Sequence, residues 1–100
     1  INFGLKAGLN MEDVIEVISK GAAQSWQMEN RFKTMIDDQF EFGFAVDWMR
    51  KDLKIAIEEA KKNNSPLPIT EVIDKYYAEV QDMGGNRWDT SSLIRRFRKS

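Results

Sequence analysis

Ala45, Trp48, Met49, Leu53, Ala56, Ile57 and Ala60 recur every three or four residues, and that stripe constrains the chain more than any other feature. The spacing lines one face of an α-helix over residues 45–63 and is out of phase with a strand. Outward from it, Asp47–Lys51 and Glu58–Lys62 stand four apart, each pair worth about 0.2–0.5 kcal/mol on a helix surface. The rest of the chain keeps the same period. Met11, Val14, Ile15 and Ile18 predict a helix over 11–20, and Met28, Phe32, Met35 and Ile36 one over 24–37. Ile69, Val72, Ile73, Tyr76, Tyr77 and Val80 predict a helix over 71–83; Leu93, Ile94 and Phe97 predict a short last one over 90–98. Residues 1–8 read as the last turns of another helix. No stretch alternates as a strand would, so the expected fold is an all-α domain of five or six helices.

The boundaries carry their own chemistry. Asn10 is placed to cap the second helix by accepting from the backbone amide near Asp13, whose charge suits a helix N-terminus. Gly21 ends that helix. Asp37 to Gly43 reads as a loop with Phe40 and Phe42 packed beneath it. The run Asn63-Asn64-Ser65-Pro66-Leu67-Pro68 stops the long helix, since a residue before proline leaves helical geometry. Thr70 is expected to cap the fifth helix, Gly84-Gly85 to break it, and Asp89 or Thr90 to start the last.

Composition narrows the function classes. One hundred residues suffice for one domain. Fifteen Lys and Arg against 16 Asp and Glu lack the basic excess of a nucleic-acid binder. The chain has no Cys and no His, which removes the usual zinc ligands, the thiol nucleophile and the imidazole base. No run approaches the ~18–20 apolar residues of a membrane span, so no membrane partner is expected. There is no signal-peptide pattern either. The opening INFGLKAG, starting from Ile1 as if inside a helix, suggests a chain cut from something longer.

Few residues stand out as chemistry. Asp52 falls four residues after Trp48 and four before Ala56, inside the apolar stripe, where a carboxylate costs free energy unless something meets it. It is either a structural carboxylate that caps or pairs with a neighbour, or part of a site. Lys51 lies seven residues after Phe44, so the two share an angular position and can line one cleft edge; alternatively Lys51 simply pairs with Asp47. Trp26 and Asn30 share a face of the third helix. Arg95, Arg96, Arg98 and Lys99 could meet phosphate, but they also complement a helix dipole. Gly84-Gly85 lacks the strand and spacing of a phosphate-cradling loop, and there is no dinucleotide fingerprint, Walker motif or serine elbow.

Taken in order, Gly21-Ala22-Ala23-Gln24-Ser25-Trp26, Glu29-Asn30-Arg31, Gly43-Phe44-Ala45, Lys51-Asp52-Leu53, Leu67-Pro68-Ile69-Thr70 and Asp89-Thr90-Ser91-Ser92 form a recognisable set. The set resembles the C-terminal helical domain of the β-hydroxyacid dehydrogenases, the family of 3-hydroxyisobutyrate dehydrogenase and tartronate semialdehyde reductase. The resemblance spans essentially the whole chain. It implies a helical domain of the 6-phosphogluconate dehydrogenase C-terminal type, over residues 1–100, in a cytoplasmic parent with an N-terminal Rossmann domain. It further implies NAD or NADP as cofactor, a small hydroxyacid or semialdehyde as substrate, and a homo-oligomer paired through this domain.

By the same resemblance, Lys51 and Phe44 fall on cofactor-contacting positions, and Asp52 and Trp26 on the substrate side. The family's proton-transferring lysine falls upstream of Ile1. Lys6 and Asn10 have its spacing, but no glycines precede Lys6 and a helix end intervenes, so they are not that pair. No catalytic residue is therefore expected in residues 1–100, and the fragment alone should be inactive. The rival readings from the residues are a helical interaction module without catalytic function, or a small DNA binder acting through the basic tail.

Overall fold

Helix starts in this chain are met in three different ways, and these differences shape the fold. The computed structural model describes residues 1–98. Its helices are α1 (Asn2–Lys6), α2 (Met11–Ile18), α3 (Trp26–Ile36), α4 (Val46–Lys62) and α5 (Pro68–Asp82), followed by a 3-10 helix over Thr90–Arg98. Among the described residues there is no strand, only an isolated antiparallel bridge between Ala45 and Asp89. No described helix is long and apolar enough to cross a membrane. The chain divides into two compact units, Ile1–Phe40 and Glu41 onward.

In the first unit, side chains do the capping. Asn10 accepts from the Asp13 amide at 3.1 Å, as expected, and Ser25 accepts from the Met28 amide at 3.0 Å, a cap the periodicity alone had not marked. Met11 and Ile15 are buried on α2, which packs on α3. Phe40 is 1% exposed, but Phe42 is 37% exposed and does not lie beneath the loop with it.

In the second unit, α5 starts two residues before Thr70. Pro68 occupies its first turn and Leu67 precedes it without a side-chain cap. Proline at this position sacrifices no hydrogen bond, because the first amides of a helix have no partner within it. The prolines therefore stop one helix and open the next. Ile69 and Val72, expected inside, are exposed in this early turn.

Helix α4 buries or half-buries Met49, Leu53, Ile57 and Ala60 of the expected stripe, but its inward face is narrower than that stripe and begins differently. Val46 rather than Ala45 leads it, and Val46 packs with Tyr77 and Val80 of α5 and with Met49, Leu53, Ile73, Trp88 and Leu93. Asp52, expected within the apolar face, is exposed together with Trp48 and Ala56. A carboxylate in water needs no compensating partner, so the burial argument for Asp52 falls.

Polar contacts fix α4 against α5. The Arg50 guanidinium donates to both carboxylate oxygens of Asp74, through Nε at 2.8 Å and Nη2 at 3.0 Å, and through Nη1 to the Gln81 amide oxygen at 2.9 Å. The fork-on-fork pairing is the strong form of an ion pair. The hydrogen bond from Arg50 holds the Asp74 carboxyl below its ordinary value, and the same bond raises Arg50. Asp47 is taken up by Gln81 and Asn86, whose amide nitrogens donate to it at 2.7 and 3.2 Å, and Lys54 meets Glu58 at 4.0 Å.

Since the folded-state value of Asp74 is depressed, its stabilising contribution is present above the ordinary carboxylate pKa and is lost as pH falls through the folded value. We expect Asp74→Asn to lower stability at neutral pH by about 1–2 kcal/mol. It should also flatten the acid limb of stability against pH, read from urea melts between pH 7 and 2.

Candidate functional site

Helix α4 has at its N-cap Ala45, which has no side chain able to cap it. Its first amides are met from a distance. Val46 N donates to the Trp88 carbonyl at 2.9 Å and Asp47 N to the Asn86 carbonyl at 3.0 Å. Beside them, Ala45 and Asp89 form the antiparallel bridge. The result is a clasp of residues 44–47 on residues 86–89.

Asp89 completes the clasp. It is 1% exposed, and its Oδ1 accepts from the Phe44 amide at 3.0 Å. Its Oδ2 accepts from the Ser91 amide at 3.1 Å and from the Ser91 hydroxyl, which places Asp89 at the start of the 3-10 helix. A buried carboxylate is tolerable because these donors replace its lost hydration. Ser92 is also buried, and among the described residues its hydroxyl has no hydrogen-bond partner. Tyr77 closes the far side of this turn by donating to the Thr90 carbonyl at 3.0 Å.

The clasp shapes an open groove of about 700 Å³ whose walls include Phe42, Phe44, Trp48, Asn86, Arg87 and Trp88. Gly43 turns the chain into it at φ +74, a left-handed conformation that a side chain would strain. Gly85 lies so close to Trp88 and Val80 that a Cβ there would run into both. Arg95 stacks its guanidinium 4.2 Å from the Trp88 ring centroid, steadying that wall from outside the helix pair. Flat aromatic faces with ammonium and guanidinium groups nearby suit a planar ring carried on an anionic molecule.

The four residues singled out from the sequence fall in different settings. Phe44 lines the groove, half exposed, with its backbone held by Asp89. Lys51 is exposed, its Nζ 5.6 Å from the centroid of the Trp48 ring. Phe44 precedes α4, so a shared helical angle does not relate it to Lys51; the intermediary is Trp48, three residues before Lys51 and itself a groove wall. Asp52 is exposed on α4 next to Lys51 and is not among the groove walls. Trp26 belongs to the first unit, 56% exposed, with Arg31 4.8 Å from its ring centroid and Asn30 donating to its carbonyl at 2.9 Å.

Trp48, Asn86, Trp88 and Asp89 were not marked as site residues from the sequence. Asp89-Thr90-Ser91 does carry a local capping signal, but nothing local announces the reach of Asp89 to Phe44. The C-terminal cations are engaged within the fold rather than left as a free patch: Arg96 pairs with Glu79 and lies 3.5 Å from the Tyr76 ring centroid. Lys99 lies outside the described residues.

Residues 1–97 match the family described as NAD-binding of NADP-dependent 3-hydroxyisobutyrate dehydrogenase. A protein of Shewanella frigidimarina, described as an uncharacterized oxidoreductase, is 63% identical over 100 residues, which is 100% of this chain and 34% of that protein. The 2-(hydroxymethyl)glutarate dehydrogenase of Eubacterium barkeri is 37% identical over 93 residues, 92% of this chain and 31% of that protein. A crystal structure of 3-hydroxyisobutyrate dehydrogenase from Salmonella typhimurium matches with a TM-score of 0.83 at 27% identity, covering 95% of this chain and 33% of that one. The chain spans about a third of the length of these relatives.

Burial pushes the Tyr77 phenol up to about 12. Its contribution to stability is therefore complete below the ordinary tyrosine value of about 10 and is lost as pH rises through the folded value. We expect Tyr77→Phe to cost about 1–2 kcal/mol at neutral pH by stranding the Thr90 carbonyl. It should also remove, from the alkaline phenolate absorbance of a chain with two tyrosines, the component that titrates at about 12.

Proposed function

The chain belongs to the NAD-binding family of NADP-dependent 3-hydroxyisobutyrate dehydrogenase, and on that premise we propose that it forms the C-terminal helical part of a longer hydroxyacid dehydrogenase. NAD(P) is the cofactor that this family uses. The observation that carries the proposal is the groove itself: indole and phenyl faces beside the Lys51 ammonium, in a chain of a nicotinamide-dependent family.

The residues present suit such a group by their chemistry. Asn86 and Arg87 in the groove wall offer donors and positive charge to an anionic dinucleotide, Lys51 adds its charge from outside the wall beside Trp48, and Phe44, Trp48 and Trp88 offer flat apolar faces to a ring. When bound, NAD(P) supplies the hydride exchanged with the carbon that bears the substrate hydroxyl. Lys51 holds the cofactor side of the cleft as a point charge. Phe44 and Trp48 keep water from that side, and Asp52 serves the substrate side. The lysine that moves the proton lies outside residues 1–100, on a segment that joins this part to an N-terminal dinucleotide-binding domain. The substrate is a small hydroxyacid or semialdehyde, the parent works in the cytoplasm, and copies pair through this helical part.

In the full-length dehydrogenase, Lys51→Ala should weaken NAD(P)H binding by about 1–3 kcal/mol, the worth of one charged hydrogen bond. Titration of the variant with NADH and NADPH measures this, and wild-type affinity for both would refute the role given to Lys51. Residues 1–100 alone should show no turnover with NAD(P) and 3-hydroxyisobutyrate. Measurable turnover by that fragment would place the proton-transferring group inside it.

A further inference from the structure

Asp89 does more than its position at a helix start requires. The two donors from Ser91 are what any capping side chain collects, and a serine or threonine there would collect the local amide equally well. The third donor, the Phe44 amide, comes from 45 residues earlier and contributes nothing to that cap. Only a side chain with two acceptor oxygens at this depth serves both partners at once, one oxygen to each.

The partner it reaches for is a groove residue. Phe44 lines the groove, and Trp88, adjacent to Asp89 in sequence, lines it too while its carbonyl holds Val46 at the start of α4. The carboxylate therefore ties one aromatic wall to the base of another. The backbone part of the clasp, the Ala45–Asp89 bridge and the Val46 and Asp47 amides, does not depend on the Asp89 side chain. Losing the carboxylate frees the Phe44 rim while α4 stays anchored.

We infer that Asp89 is a positioning residue of the groove, its buried carboxylate holding Phe44 at the rim and so setting the spacing of the aromatic walls that receive the cofactor. The inference rests on the reading of this groove as a cofactor wall.

The test uses the full-length dehydrogenase and its Kd for NADH and NADPH, followed by energy transfer from tryptophan to the reduced nicotinamide, alongside the thermal midpoint without cofactor. Asp89→Ser keeps a capping hydroxyl and is too short to hold Phe44. It should raise Kd by about 3–15-fold, the loss expected of one hydrogen bond that orders a contact. Asp89→Asn keeps one acceptor oxygen for two amide donors and should raise Kd by about 2–4-fold. Ser91→Ala removes a local donor only, so it should lower the midpoint and leave Kd within about twofold.

Wild-type Kd in a folded Asp89→Ser overturns the inference, provided Phe44→Ala and Lys51→Ala raise it. Should Asp89→Ser not fold, wild-type Kd in Asp89→Asn overturns it in the same way. Wild-type Kd in both Phe44→Ala and Lys51→Ala removes the groove reading itself, and the inference with it.

Discussion

The start of α4 is the constraint on which the second unit depends. A helix leaves its first amides without partners, and Ala45 has no side chain to offer them. Each buried amide left unpaired costs about 1–3 kcal/mol, so the deficit has to be met from elsewhere in the chain. The loop 86–89 meets it with two carbonyls, and beside them the Asp89 carboxylate takes the Phe44 amide just ahead of the helix. That arrangement brings Trp88 down onto Gly85 and Val80, where only a residue without a Cβ fits beneath the indole. It also begins the 3-10 helix at the place where Tyr77 can hold the Thr90 carbonyl. Clasp, core and groove are consequences of one unmet helix terminus.

The rigid part of this arrangement is the α4–α5 pair, and the candidate site is mounted on its outer side. Arg50 is engaged by Asp74 and Gln81, and Asp47 by Gln81 and Asn86, so both polar residues of the first α4 turns face α5. Trp48, Lys51 and Asp52 are left pointing away from the core. A side chain presented from a well-packed helix is held more accurately than one presented from a loop. Phe42, Phe44 and Trp88 line the groove from loops, and Phe44 is the one whose amide the Asp89 carboxylate tethers.

Much of the fold was legible because periodicity survives small errors. The six segments end within two or three residues of where hydrophobic spacing put them, and Asn10 caps as its position implied. The width of the α4 face was less secure: Trp48 and Ala56 fit the spacing but are exposed, and taking both as buried carried Asp52, four residues from each, inward with them. Pro68 was read as a stop although its missing amide makes it equally a start. The last helix winds as 3-10 and is held from outside by Tyr77 to Thr90, Arg95 to Trp88 and Arg96 to Glu79, contacts that no local pattern encodes. For the site, Lys51 and Phe44 stood out from the motif, yet the groove they flank is built by Trp48, Trp88 and Asp89. Long-range pairing is invisible to a reading that moves along the chain a few residues at a time.

The separation of Phe44 from Asp89 has a consequence for how the protein is made. A ribosome releases the chain from the N-terminus at roughly 5–20 residues per second, and α4 can wind as soon as it emerges. Its first amides then wait until the 86–89 loop follows, some 40 residues later, with water as their interim partner. Closing a loop of that length is an entropic step that local helix formation does not assist. The aromatic walls are therefore among the last surfaces of the second unit to be sheltered, and a nascent chain displays Phe44 and Trp48 to the cell before Trp88 and Asp89 exist to organise them.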